Sequence, residues 1–184
     1  MKFTLLAATL LAFGSLLGAQ EITGVHNFHQ VNDSVYRGAQ PSKEGFQSLA
    51  HLGIKTVIDL RSGGGRSRDE QKVVEAAGMR YIVLPFHGFE APSDAQISKA
   101  LAVLNDASAG PVFVHCRRGA DRTGTVIACY RISHDHWDNA KALQEAASDG
   151  MSRLEVAMKH YVLNFKTSPV AVPAVVVPAA VVSQ

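Results

Sequence analysis

The stretch from Pro111 to Ser133 constrains the fold more than any other part of this chain. It runs from a short apolar segment, Pro111-Val112-Phe113-Val114, through a polar loop, His115 to Arg122, into a segment that is apolar at helical spacing from Thr123 to about Ser133. A buried strand that feeds directly into a helix predicts an α/β domain, in which helices cover a sheet. At such a junction the loop N–H groups can converge on an anion, and the helix N-terminus adds a positive potential. The same field favours a thiolate over a thiol, which makes Cys116 a candidate nucleophile. Arg122 can fold back and grip two phosphate oxygens with its planar fork, as a lysine could not. Gly119 lets the loop turn tightly, and Thr123 offers a hydroxyl to the sulfur. Arg117, Arg118, Ala120 and Gly124 complete the candidate phosphate-binding loop. His115 is expected to orient the Cys116 backbone by hydrogen bonding rather than to act as a base.

The rest of the chain alternates in the same way. Short β-branched or aromatic runs occur at Val35-Tyr36, Thr56 to Leu60 and Tyr81 to Leu84. Helix starts are read at Ser67-Arg68-Asp69-Glu70 and Ser152-Arg153-Leu154-Glu155 as capping boxes, and at Ser93-Asp94-Ala95-Gln96 as the glutamine version. Ser42 and Asp138 are expected to cap two more. Phe46 and Leu49 should face inward on the Ser42 helix, and Ile97, Leu101 and Leu104 on the Ser93 helix. The Ser152 helix should bury Leu154, Met158, Tyr161, Val162 and Phe165. Strand, helix, strand, helix predicts one domain with a mostly parallel central sheet flanked by helices, and ligands in such sheets bind at the carboxyl ends of strands.

The ends of the chain read differently. Lys2 followed by the apolar run Phe3 to Leu17 has the form of a secretory signal peptide, here residues 1–19, which predicts an exported protein, periplasmic or secreted. Leu17 stands where a small residue is preferred, so both the cut position and a retained anchor stay open. The run is short of the roughly 20 residues that a membrane span needs. Removing 19 of the 184 residues leaves 165, one ordinary domain, taken as residues 20–166. Removal also takes away Lys2, so a formal charge of +2 falls to +1, too small a balance for a nucleic-acid surface. The basic residues cluster locally, at Arg117 and Arg118 and at Arg61, Arg66 and Arg68 around Gly63-Gly64-Gly65. The segment 167–184 carries Pro169, Pro173 and Pro178 among valines and alanines, and is expected to form an extended or disordered tail. Of the two cysteines, Cys129 is expected to be a buried small hydrophobe and Cys116 to be free, so no disulfide is predicted.

The loop resembles the signature of the cysteine-dependent protein tyrosine and dual-specificity phosphatases: His-Cys, five residues, then Arg followed by Ser or Thr. Its spelling is most similar to the plant and fungal atypical dual-specificity phosphatases and their bacterial relatives. Val35-Tyr36-Arg37-Gly38-Ala39-Gln40-Pro41 and Gly53 to Arg61 look like the N-terminal half of that family, and the resemblance covers roughly residues 28 to 165. It implies a protein-tyrosine-phosphatase-like domain, a phosphocysteine intermediate at Cys116, transition-state binding by Arg122, and no metal or other cofactor. The implied partner is a phosphorylated substrate, a phosphoprotein or an inositol phosphate; the oligomeric state is left open.

The family's usual proton donor, an aspartate some thirty residues before the cysteine, is missing from Leu84 to Asp94. Asp121, placed as in the myotubularin and Sac-type phosphoinositide phosphatases, Glu90 and Asp94 compete for that role, with His87 and no dedicated acid as further alternatives. The missing aspartate also keeps open a second function, a phosphate- or phosphoinositide-binding module with little or no turnover. Extra cations in the loop suit a substrate with several phosphates.

Overall fold

The computed structural model describes residues 22–167, and in it the run ahead of Cys116 becomes the middle strand of a five-stranded sheet. The strands are β1 (His29–Gln30), β2 (Val35–Ala39), β3 (Thr56–Asp59), β4 (Arg80–Val83) and β5 (Val112–Cys116), arranged β1-β2-β5-β3-β4. Only β1 runs antiparallel; β2, β3, β4 and β5 are mutually parallel. The α/β reading with a mostly parallel sheet therefore holds. The signal segment at 1–19 and the tail from 168 onward lie outside the described residues.

Helices α1 (Lys43–His51) and α2 (Gly65–Ala76) cover one face of the sheet, and α3 (Asp94–Leu104), α4 (Asp121–His134) and α6 (Val156–Asn164) the other. α5 (Asn139–Ser148) and α6 sandwich α4 on its outer side through Ala128, Ile132, Ala142 and Val162. α4 is thus buried nearly all round, which is why its sequence carries Thr123, Thr125 and Ala128 rather than a charged outer stripe. Strands β2, β3 and β5 are buried along their whole length. Each large apolar side chain so enclosed contributes about 1.5–3 kcal/mol. Among the described residues no helix is long and apolar enough to cross a membrane.

Three helix starts form as the sequence predicts. Ser42 accepts from Gly45 N, Asp138 from Lys141 N, and Ser93 and Gln96 make the reciprocal box. Phe46, Leu49, Ile97 and Leu104 are buried beneath them, with Leu101 half-buried.

The other two boxes do not form. α2 begins three residues earlier than its box implies, at an N-cap Gly64 with φ of 94° and no side-chain cap, because Ser67 donates instead to Asp59 and Glu70 turns inward. α6 begins at Val156; the Ser152 N–H is drawn to Asp121, and the Ser152 hydroxyl serves only the local turn at Leu154. Leu154 is consequently 80% exposed, while Met158 and Val162 are buried and Tyr161 and Phe165 pack on the core.

Candidate active site

Along β5 the side chains alternate. Val112, Val114 and Cys116 point to the α3–α4 side, Phe113 and His115 to the α1–α2 side. Cys116 is 2% exposed and sits on an apolar floor, directly before the loop that carries the chain into α4. Both cysteines are free thiols. Cys129 lies one face deeper in α4, and burial pushes its thiol pKa far up, so it is inert packing as expected.

The loop from Arg117 to Ala120 is held by its carbonyls. Asn27 Nδ2 donates to the carbonyls of Arg118 and Gly119, Arg37 Nη2 donates to Gly119 O, and the Arg117 carbonyl accepts from Gln40 N. Arg37 is 1% exposed and is itself fixed by Asp149 at 2.7 Å, to which Asn27 also reaches through the Asp149 carbonyl. Burial lowers the Arg37 pKa, and Asp149 works against that shift. Gly119 has φ of 69°, and a Cβ there would come within 2.3 Å of the Gly38 backbone, so only glycine lets the loop lie this close to β2.

With its carbonyls tied outward, the loop leaves the N–H groups of Arg117, Arg118, Gly119 and Ala120 without a protein acceptor among the described residues. That is the cradle an oxyanion needs. The Thr123 hydroxyl, wholly buried, also lacks a partner among the described residues.

Arg122, in the first turn of α4, and Arg117 line a cavity of about 210 Å3 with Gln40, Arg61, Ser62, Gly63, Arg66 and Ser67. Of the residues expected to bind phosphate only Arg117 joins Arg122 in that lining; Cys116, Gly119, Ala120 and Thr123 do not line it, and Arg118 and Gly124 are engaged elsewhere. Arg118 is turned onto Asp121. Gly124 has its N–H taken by Ala120 O, and its bare Cα admits Ala146 and Met151, so it serves helix packing.

His115 does not brace the Cys116 backbone. It stacks on Phe113 and edges Phe46, with Nε2 3.0 Å from Glu70 Oε1, although neither ring nitrogen makes a well-directed hydrogen bond. Around it lies a buried charge network. Asp59 accepts from Arg61 N, Nε and Nη2, from Ser67 and from Tyr81, and Arg61 also reaches Glu70 at 2.8 Å. Burial alone would raise the Asp59 pKa; the Arg61 hydrogen bonds, the His115 ring and the Tyr81 hydroxyl reverse that and hold it well below the usual carboxylate range. Burial and the Asp59 hydrogen bond push the Tyr81 hydroxyl up. Asp59, Glu70 and His115 bring ligand-type atoms within 4.8 Å of one another, but Arg61 already supplies the positive charge there.

The candidate acids are placed apart. Asp121 spends both oxygens as a fastener, one on Arg118 and one on Ser152 N at 2.8 Å. Asp94 accepts from Tyr161 at 2.7 Å. Glu90 and His87 are exposed on the loop after β4. A fourth carboxylate, Glu155, is buried with Oε2 unpartnered. Burial first, then the nearby Asp121 charge, raises its pKa against the pull of Arg118 and Arg122.

Sequence reasoning missed Asn27, Arg37 and Asp149 as loop braces. The signal available was Arg37, a lone arginine in a strand otherwise fit for full burial.

Comparison with known proteins agrees with the fold. A family described as DSP-PTPase phosphatase fused to NAD+ kinase matches residues 20–164. The dual specificity protein phosphatase TpbA of Pseudomonas aeruginosa is 32% identical over 145 residues, which cover 78% of this chain and 64% of the relative. The inositol diphosphatase DSP3 of Arabidopsis thaliana is 29% identical over 123 residues, covering 65% and 60%. The chain thus spans about three fifths of the length of these curated relatives. A crystal structure of P. aeruginosa TpbA with a cysteine-to-serine substitution, in complex with phosphotyrosine, superposes with a TM-score of 0.68 at 28% identity, over 82% of this chain and 91% of that one.

Proposed function

This chain belongs to the DSP-PTPase phosphatase family, and on that premise we propose that it is an exported phosphatase that hydrolyses phosphate monoesters through a phosphocysteine at Cys116. The observation that carries the reading is the loop itself: four free N–H groups between a buried cysteine and an arginine that lines the adjoining cavity. The Cys116 sulfur attacks phosphorus as the P–O bond to the leaving oxygen breaks, and that oxygen takes a proton from solvent water and departs as an alcohol or phenol, leaving hydroxide. Water then attacks the phosphocysteine, the S–P bond breaks, and inorganic phosphate leaves. Loop N–H groups and the Arg122 fork meet the charge that gathers on the equatorial oxygens. Thr123 donates to the sulfur as it is released.

The relatives' names point to phosphotyrosine and inositol phosphates as the substrates to try. Export rests on Lys2 and the apolar run Phe3 to Leu17.

Phosphate release from p-nitrophenyl phosphate, a phosphotyrosine peptide, a phosphoinositide and phytate, under reducing conditions, tests the reading. Turnover in the intact protein should fall at least roughly 10³-fold in Cys116→Ser, with anion affinity kept, because the cradle is backbone and Arg122. Equal turnover in Cys116→Ser would remove the phosphocysteine. Silence across the panel with intact phosphate binding would leave the anion-binding module, the reading that the missing loop aspartate favours.

A further inference from the structure

His29 and Arg37 face each other across β1 and β2, so their side chains leave one face of the sheet together. Arg37 runs to Asp149 and the Gly119 carbonyl. His29, with its side chain 39% exposed, has a nearer partner than Asp149: its Nε2 lies 3.0 Å from Asn27 Oδ1 and 3.8 Å from Asp149 Oδ1. The Asn27 amide admits one orientation. Its Nδ2 faces three carbonyls, Asp149 O at 3.0 Å, Gly119 O at 3.1 Å and Arg118 O at 3.4 Å, all of which an amide oxygen would repel. Oδ1 is therefore turned to His29 and accepts from it, which assigns the ring its Nε2–H form. Asn27 also holds φ of 49°, a left-handed backbone kept in place by the surrounding contacts.

What Asn27 grips decides where the cradle points. A peptide unit is planar, with its C=O and N–H on opposite sides, so a carbonyl pinned outward aims the N–H of the next residue inward. The Arg118 carbonyl shares its plane with the Gly119 N–H, and the Gly119 carbonyl with the Ala120 N–H. Gly119 O is held by Arg37 as well, whereas Arg118 O has Asn27 alone among the described residues.

We propose that His29 is a positioning residue for the anion cradle: by locking the Asn27 amide it sets the direction of the Gly119 N–H and, more weakly, of the Ala120 N–H. The role rests on the reading above, in which the 117–120 loop holds a phosphoryl oxyanion. It needs no turnover, and so can be tested apart from the chemistry at Cys116.

The probe is inorganic phosphate, titrated into the Cys116→Ser parent protein by calorimetry and by heteronuclear NMR. His29→Ala should weaken phosphate by about 5-fold, the worth of one neutral hydrogen bond. The phosphate-induced shift of the Gly119 amide should shrink more than that of Ala120, whose peptide Arg37 still holds. His29→Gln should recover most of both, because its side-chain amide supplies an N–H in place of the ring's. Asn27→Gly keeps the left-handed backbone and removes the amide, and on that background His29→Ala should add less than about 2-fold. Unchanged affinity in His29→Ala, no recovery in His29→Gln, or full additivity with Asn27→Gly would overturn the role and leave the cradle standing. No phosphate binding in the parent would overturn the cradle, and this role with it. His29 lies on a two-residue edge strand, so loss of fold is not expected, and far-UV circular dichroism checks it.

Discussion

His115 and Cys116 are consecutive residues, yet the strand delivers them to opposite surroundings. On the His115 side, Asp59, Arg61, Ser67, Glu70 and Tyr81 close a buried polar network in which carboxylates have several donors. On the Cys116 side the floor is aliphatic, and the loop N–H groups that follow Cys116 and the Thr123 hydroxyl have no partner among the described residues. The satisfied carboxylates build a scaffold, even though the His115 ring nitrogens among them lack a well-directed partner, while the loop N–H groups stay open to a ligand. One strand end thus carries stability on one face and reactivity on the other.

That contrast can be broken from either side. The largest effect is expected on the His115 side: Glu70→Ala strips Arg61, Gln40 and Tyr81 of an acceptor and should cost about 3 kcal/mol, a drop of roughly 6–12 °C in Tm for a chain of this size. Calorimetry that showed no change would mean the network is slack. On the Cys116 side a middling effect on rate is expected. Asp121 fastens Arg118 and the Ser152 turn, so Asp121→Asn should slow aryl and alkyl phosphates alike, by on the order of 10-fold from loop displacement. A loss confined to alkyl phosphates would make Asp121 the proton donor after all.

The smallest effect concerns Glu155, a buried carboxylate whose Oε2 has no partner among the described residues and whose pKa is raised by burial and the Asp121 charge. Its ionisation opposes folding, so the penalty is absent at low pH and grows as pH rises through the carboxylate range. Glu155→Gln should stabilise the protein by about 1 kcal/mol at pH 7 and by almost nothing near pH 3, read from urea unfolding at both values. Asp59 has the opposite sign: its depressed pKa contributes stability above the ordinary carboxylate range, which is lost as pH falls.

What could be read in the sequence was what depends on neighbours. The strand into Cys116, the helix out of it, and the caps at Ser42, Ser93 and Asp138 are set by residues within a few positions of one another. Ser67 and Ser152 have equally good local patterns and fail because distant carboxylates claim them, Asp59 eight residues away and Asp121 thirty-one. Arg118 carried a charge in the right loop and still left the cavity, because Asp121 lies one helical turn on. Arg61 and Arg66 entered it from a loop that sequence alone could not place beside Arg122, since their meeting requires β3 and β5 to pair in parallel at a particular register. Arg37 was visible only as part of a family resemblance; its purpose needs Asp149 and Gly119 in space.

The Arg37–Asp149 clamp also sets an order of assembly. Arg37 is made early, Cys116 well after it, and Asp149 another 33 residues later. Arg122, which completes the reactive loop, precedes Asp149 by 27 residues, so at about 5–20 residues per second of synthesis the finished loop exists for roughly one to five seconds before its last brace has been made. A chain that stops short of α5 would therefore carry the complete Cys116-to-Arg122 motif and no fixed cradle to go with it, which makes the far end of the domain a timer on when its chemistry can begin.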